Sequence, residues 1–151
     1  MDDAFNLKRF LDAQHTVGYG QTLDWYQTAL KEIRAGRKAS HWIWFIFPQL
    51  QGLGHSENSI LYGISNLEEA RAYLAEPTLR HNLLEISEAL LAQETNDPVA
   101  VLSWSVDARK VCSCMTLFVL ADESIPVFRQ VLDKYYHGKM DGRTLRLLHM
   151  Q

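Results

Sequence analysis

Cysteine and proline are scarce in this chain, with two cysteines and four prolines in 151 residues. Two cysteines cannot staple a fold of this size, so a hydrophobic core has to hold it together. The pair, Cys112 and Cys114, flanks Ser113, and residues two apart on a helix point in different directions, which strains a direct disulfide. No second C-x-C pair completes a zinc ligand set, and His41 and His55 lack the helical spacing of a metal pair. Neither metal nor cofactor is therefore expected, and buried reduced thiols are the simplest reading of the cysteines. A redox role would need an exposed thiolate beside a positive charge.

An excess of basic charge is missing too. Fifteen Lys and Arg stand against eighteen Asp and Glu, a formal net charge of −3. That balance gives no general attraction to nucleic acid or to an anionic membrane surface. No apolar run reaches the roughly 18 residues of a membrane span. The first residues carry Asp2 and Asp3 and lack the basic and apolar segments of a signal peptide, so a cytoplasmic protein is expected. The chain holds no G-x-S-x-G, P-loop or dinucleotide fingerprint, and Gly18-Tyr19-Gly20 lacks a third glycine and a preceding strand. Nor is there a repeat, a low-complexity tract or a linker to divide residues 1–151 into two domains.

What is present is helical punctuation. Residues 6–14 fit a first short helix, and Leu23, Tyr26, Leu30 and Ile33 form an apolar stripe over 22–35 that stops at Gly36. Ser65-x-x-Glu68 reads as a capping box for 65–75, and Thr78 as the cap of a helix through Gln93. Asp97-Pro98 opens a short turn, Asp107 caps a helix to about Leu120, Ser124-Pro126 starts another, and Asp141 caps the last. The six apolar residues Trp42 to Phe47 fit a buried strand or a short helix capped by Ser40. The helix is favoured because nothing else offers a strand partner, and an unpaired buried strand leaves backbone groups unsatisfied. The expectation is an all-α, compact, single-domain bundle of roughly seven to eight short helices.

The densest unusual stretch is GRKASHWIWFIFPQLQGLGHS, residues 36–56. Its aromatics supply large buried areas, its glycines permit close backbone approach, and Ser56 can cap a short helix. Core plus turn is the simpler reading. The sharper one is an aromatic-walled pocket for an anionic, phosphate-bearing small molecule, with Trp44, Gln49, Gly54 and Ser56 in the binding set and Arg37 and Lys38 adding charge. A second cluster runs from Trp104 through Asp107, Lys110 and Ser113, where Lys110 and Ser113 share a helix face. In an enzymatic version, His41 or Asp107 is the acid or base, Lys110 stabilises developing negative charge, and Ser113 binds ligand. In the simpler version Asp107 caps, Lys110 is solvated and Ser113 bonds within its helix.

The strings SHWIWFIFPQLQGLGHS, Tyr62-Gly63-Ile64, EARAYL with Pro77, DARKVCSCMTLF, and Phe128 to Gly138 with Asp141 and Thr144-Leu145 resemble an uncharacterised bacterial family, domain of unknown function 1810 (DUF1810). The resemblance covers nearly the whole chain and implies a small helical fold without implying an activity. The chain departs from that pattern where Cys112 and Cys114 replace an expected Ser-Ser, and at Arg80, where a glycine is expected. A fainter likeness, in the order of Trp104, a Met115-bearing helix and a Phe128 helix, is to helical domains that hydrolyse ADP-ribose and ribosides. These readings converge on a small-molecule binding domain, nucleotide- or ADP-ribose-like in its ligand, with hydrolysis as an extension. The alternative is a protein-interaction or homodimerising module whose aromatic face uses Trp25, Trp42 or Trp44; the oligomeric state is left open.

Overall fold

Aromatic contacts mark the path of the core. Phe10 meets Tyr73 edge-on with ring centroids 5.1 Å apart, Tyr73 lies 5.3 Å from Phe118, and Phe118 lies 5.7 Å from Phe128. All four side chains are buried, and each fully buried aromatic or aliphatic side chain contributes about 1.5–3 kcal/mol. The four rings come from four different helices of a computed structural model that describes residues 3–15, 17–18, 21–22 and 24–149, with backbone alone for 17–18 and 21–22.

In chain order the helices are α1 Lys8–Gln14, α2 Trp25–Arg34, α3 Ile43–Ile46, α4 Glu57–Leu61, α5 Leu67–Ala75, α6 Pro77–Leu91, α7 Pro98–Leu102, α8 Ser105–Ala121, α9 Pro126–Tyr136 and α10 Gly142–His149. That makes ten helices among the described residues, where seven to eight were expected; the surplus lies in the short turns α3, α4 and α7. The chain is mainly helical, with one small departure. Val17–Gly18 and Gln21–Thr22 pair antiparallel as a two-residue ladder, Val17 opposite Thr22. Tyr19, Gly20 and Leu23, which figured in the sequence reading, lie outside the described residues.

The longest helix, α8, is the hub. It packs on α5, α7, α9 and α10, while α6 packs on α2, α5 and α9. Among its buried residues, Met115, Leu117 and Phe118 are wholly enclosed. The buried apolar side chains of all these elements form one contiguous cluster. A polar chain threads it at one end: Gln14 donates to Phe45 O at 2.7 Å, and Asn82 donates to Gln14 Oε1 at 2.9 Å, joining α1, α3 and α6.

Several helix starts differ from the sequence reading, each for an identifiable reason. Residues 43–46 are helical as favoured, but Trp42 rather than Ser40 flanks the turn, because the Ser40 hydroxyl donates to Glu32. The capping box is displaced by one residue. Asn66 accepts from Glu69 N–H, and Glu69 accepts from Ser65, because Arg9 Nη2 at 2.7 Å fixes Glu69 and not Glu68. Glu76, not Thr78, caps α6, with Pro77 at the first helical position where no N–H is needed. Ile125 rather than Ser124 precedes α9, since Ser124 is bonded to Asp122. Helix α2 starts at Trp25 behind the Asp24 cap, whose Oδ1 accepts from Gln27 N–H. The Ser56 and Asp141 caps are as expected. No helix among the described residues is long and apolar enough to cross a membrane.

Candidate functional site

The site is built on the turn that follows α2. Gly36 takes φ +90°, a left-handed conformation open to glycine, and redirects the chain toward α7. Lys38 N–H then bonds to Val101 O at 2.7 Å, and the Ser103 hydroxyl donates to Lys38 O. Glu32 locks the rest of the turn. Its Oε1 accepts from Ala39 N–H, Ser40 N–H and the Trp42 indole, and its Oε2 from the Ser40 hydroxyl at 2.6 Å. Burial raises the pKa of this carboxyl, but the bonds from Ser40, Ala39 and Trp42 outweigh it and hold the group below the ordinary glutamate value.

This turn carries Lys38 inward, where it is buried in an ion pair instead of adding free charge beside Arg37. Its side chain is 0% exposed, and Nζ stands 3.0 Å from Asp107 Oδ2, 2.5 Å from Ser40 O, and 4.7 Å from the ring centroids of both Trp42 and Trp104. A buried ammonium is tolerated only when paired in this way. Asp107, expected as the cap of α8, therefore sits inside the first helical turn and faces Lys38, while Trp104 flanks the helix.

Two cavities lie on either side of this framework. The first, about 220 Å³, has His41, Trp44, Trp104 and Val106 around it, with Lys38 and Asp107 also in its lining. His41 stacks on Trp104, ring centroids 5.2 Å apart. The second, about 360 Å³, lies between the loop of residues 49–56 and helices α8 and α10. Gln49, Gly54, Ser56, Lys110 and Ser113 all line it. Its volume falls within the range of small-molecule sites. The cavities share Val106 as a lining residue, and Lys110 Nζ sits 5.2 Å from the Trp44 ring centroid between them.

The predicted residues are thus divided, not gathered at one point. His41, Trp44 and Asp107 border the aromatic cavity; the other five border the polar one. Asp107, Lys110 and Ser113, grouped by sequence, do not face a single space. His41 and Asp107, distant in the chain, do line the same cavity.

Three charged groups of the polar cleft were not among the candidate site residues: Arg109, Asp141 and Arg143. Arg143 donates to Leu53 O at 2.9 Å and ties the loop to α10. Asp141 Oδ2 is occupied by Thr144, accepting from its hydroxyl at 2.6 Å and its N–H at 2.9 Å, and the Ser113 hydroxyl stands 3.1 Å away. The cleft therefore presents Arg109, Lys110 and Arg143 against one carboxylate already engaged in capping. Desolvation lowers the Lys110 pKa from its ordinary value; Asp107 opposes this and Lys38 adds to it. Gly54 has a structural role, since a β-carbon there would come within 2.5 Å of Ser59 Oγ.

The remaining candidates are quiet. Cys114 is buried and its thiol pKa is raised well above normal, and Cys112 is pushed up to about 11 by burial and by Asp141. Both are free thiols, and neither lies in the environment of a reactive thiolate. Among the described residues, no three His, Cys, Asp or Glu side chains gather where they could hold a metal ion. Trp42 is wholly buried and Trp25 and Trp44 pack against the core, so these three do not form an open aromatic face.

Comparison with known proteins adds a family. Residues 4–148 match the family described as Protein of unknown function (DUF1810). The fold is similar to the crystal structure of the conserved hypothetical protein Rv1873 from Mycobacterium tuberculosis. That likeness has 42% identity and a TM-score of 0.89, and covers 99% of this chain and 100% of that one. No protein of curated function matches the chain. Over nearly its full length, this chain belongs to the DUF1810 family.

Proposed function

We propose that this protein is a cytoplasmic small-molecule binding domain whose polar cleft takes a phosphate or pyrophosphate group. The observation that carries the reading is the placement of Arg109, Lys110 and Arg143 around one 360 Å³ cleft in a chain whose net charge is −3. Three cations gathered against the overall charge, with Gln49, Ser56 and Ser113 as neutral partners, suit an oxyanion of high charge density. Arg109 is exposed and its side chain makes no hydrogen bond to any described residue, so its guanidinium is open to a ligand.

Calorimetric titration with inorganic pyrophosphate tests this. Wild-type protein is expected to bind, and Arg109→Glu to lose at least tenfold in affinity while keeping its fold, because the side chain is solvent-facing. Absence of pyrophosphate binding in the wild type would refute the reading.

Hydrolysis is a second reading, supported by His41 and Asp107 lining one cavity and by the ion pair that orients Asp107. In it, Asp107 or His41 serves as acid or base and Lys110 stabilises negative charge. Turnover that survives both His41→Ala and Asp107→Asn would remove that reading and leave the binding one standing.

A further inference from the structure

The aromatic cavity adjoining the cationic cleft narrows the chemistry of the ligand. We infer that the ligand is a nucleotide, with its phosphates on Arg109 and Lys110 and its base in the cavity bordered by His41, Trp44 and Trp104. This inference rests on the phosphate-binding reading and extends it.

Four observations support it. The two cavities adjoin at Val106, and along α8 the step from Asp107 to Ser113 is about 9 Å, so one helix presents both ends of an elongated ligand. The walls of the smaller cavity are aromatic, and stacking on such rings accepts any planar base. The Asp107 carboxylate, 12% exposed, is held on one side by the Lys38 ammonium, and beyond Lys38 no described residue donates a hydrogen bond to it. It is a ready acceptor for the N–H groups on the edge of a nucleobase. Finally, the Trp44 indole nitrogen is buried without a hydrogen-bond partner among the described residues, and Trp44 borders both this cavity and a smaller one beside Gln49 and Lys110. A buried donor left unpaired is costly, and a ligand acceptor would satisfy it.

The cleft carries a surplus of positive charge, whereas at the aromatic end Lys38 and Asp107 offset each other, which sets the direction of binding. A phosphate beside Asp107 would meet like charge, and a base among three cations would leave them unpaired. An aliphatic phosphate, lacking a planar ring with N–H donors, would use only the cationic end.

The experiment compares ADP with inorganic pyrophosphate by calorimetry, on wild type and on Trp104→Ala. Trp104 is 41% exposed, so its removal is expected to leave the fold intact, which circular dichroism checks. ADP is expected to bind wild type about tenfold more tightly than pyrophosphate, and Trp104→Ala to abolish that advantage without changing pyrophosphate affinity. If ADP and pyrophosphate bind wild type equally, the nucleotide inference is overturned and the phosphate reading stands. If neither binds, both fail. If the advantage of ADP survives both Trp104→Ala and Trp44→Phe, the base lies elsewhere and the inference is wrong.

Discussion

Lys38 Nζ and Asp107 Oδ2 stand 3.0 Å apart, and this ion pair joins the turn after α2 to the first turn of the central helix. The lysine is fully enclosed and lies against two tryptophan rings, so no solvent shares its charge. Truncating one partner leaves the other charged, buried and alone. Lys38→Met is expected to cost about 3–5 kcal/mol in urea unfolding. A double variant, Lys38→Met with Asp107→Leu, removes both charges and is expected to recover part of that loss. A loss below about 1 kcal/mol in the single variant would mean that the pair does not hold the site.

Glu32 gives a pH dependence whose sign follows from its lowered carboxyl pKa. The folded state favours the carboxylate, so the stabilisation is full above the ordinary glutamate value and is lost as pH falls through the lowered folded one. Glu32→Gln is expected to lose roughly 1.5–3 kcal/mol at neutral pH, since a charged acceptor of four hydrogen bonds becomes neutral. It should also flatten the acid limb of a plot of stability against pH. An unchanged acid limb would show that other carboxyls dominate there.

Lys110 titrates below the ordinary lysine value because of desolvation. Pyrophosphate affinity, which needs the ammonium, is expected to fall as pH rises into the alkaline range, earlier than an ordinary lysine would cause. Lys110→Arg should move that fall out of the measured range, and Lys110→Met should weaken binding at every pH and abolish the dependence. Affinity independent of pH in the wild type up to 10.5, the ordinary lysine value, would argue that Lys110 does not touch the anion.

Gly54 keeps room for Ser59 at the edge of the cleft. Gly54→Ala is expected to destabilise the protein by about 1–3 kcal/mol through overpacking, and to weaken pyrophosphate binding by shifting the loop that carries Ser56. Thermal unfolding and titration of the same sample separate the two effects.

The helical plan was legible because it is local. The stripe Tyr26, Leu30 and Ile33, the Ser56 and Asp141 caps, and Pro98 and Pro126 at helix starts are all written within a few residues of where they act. Some of the misplaced starts have a different cause, since a partner distant in sequence decides them. Arg9 selects Glu69 over Glu68, and Lys38 draws Asp107 out of a capping role. Five of the eight candidate site residues border one polar cleft. Of its cations, only Lys110 was among the candidate site residues. Arg143 reaches the loop only because α10 packs on α8, and no periodicity encodes that contact. The aromatic string offers Lys38 only as added pocket charge beside Arg37, and the later Asp107 and Trp104 show why it is buried.

The most direct measurement is a crystal structure of the protein grown with ADP. Phosphate oxygens are expected within hydrogen-bond distance of Arg109 and Lys110, and the adenine ring against Trp104 with Asp107 accepting from its amino group. ADP bound elsewhere, or crystals grown at saturating ADP whose cleft holds none, would contradict it.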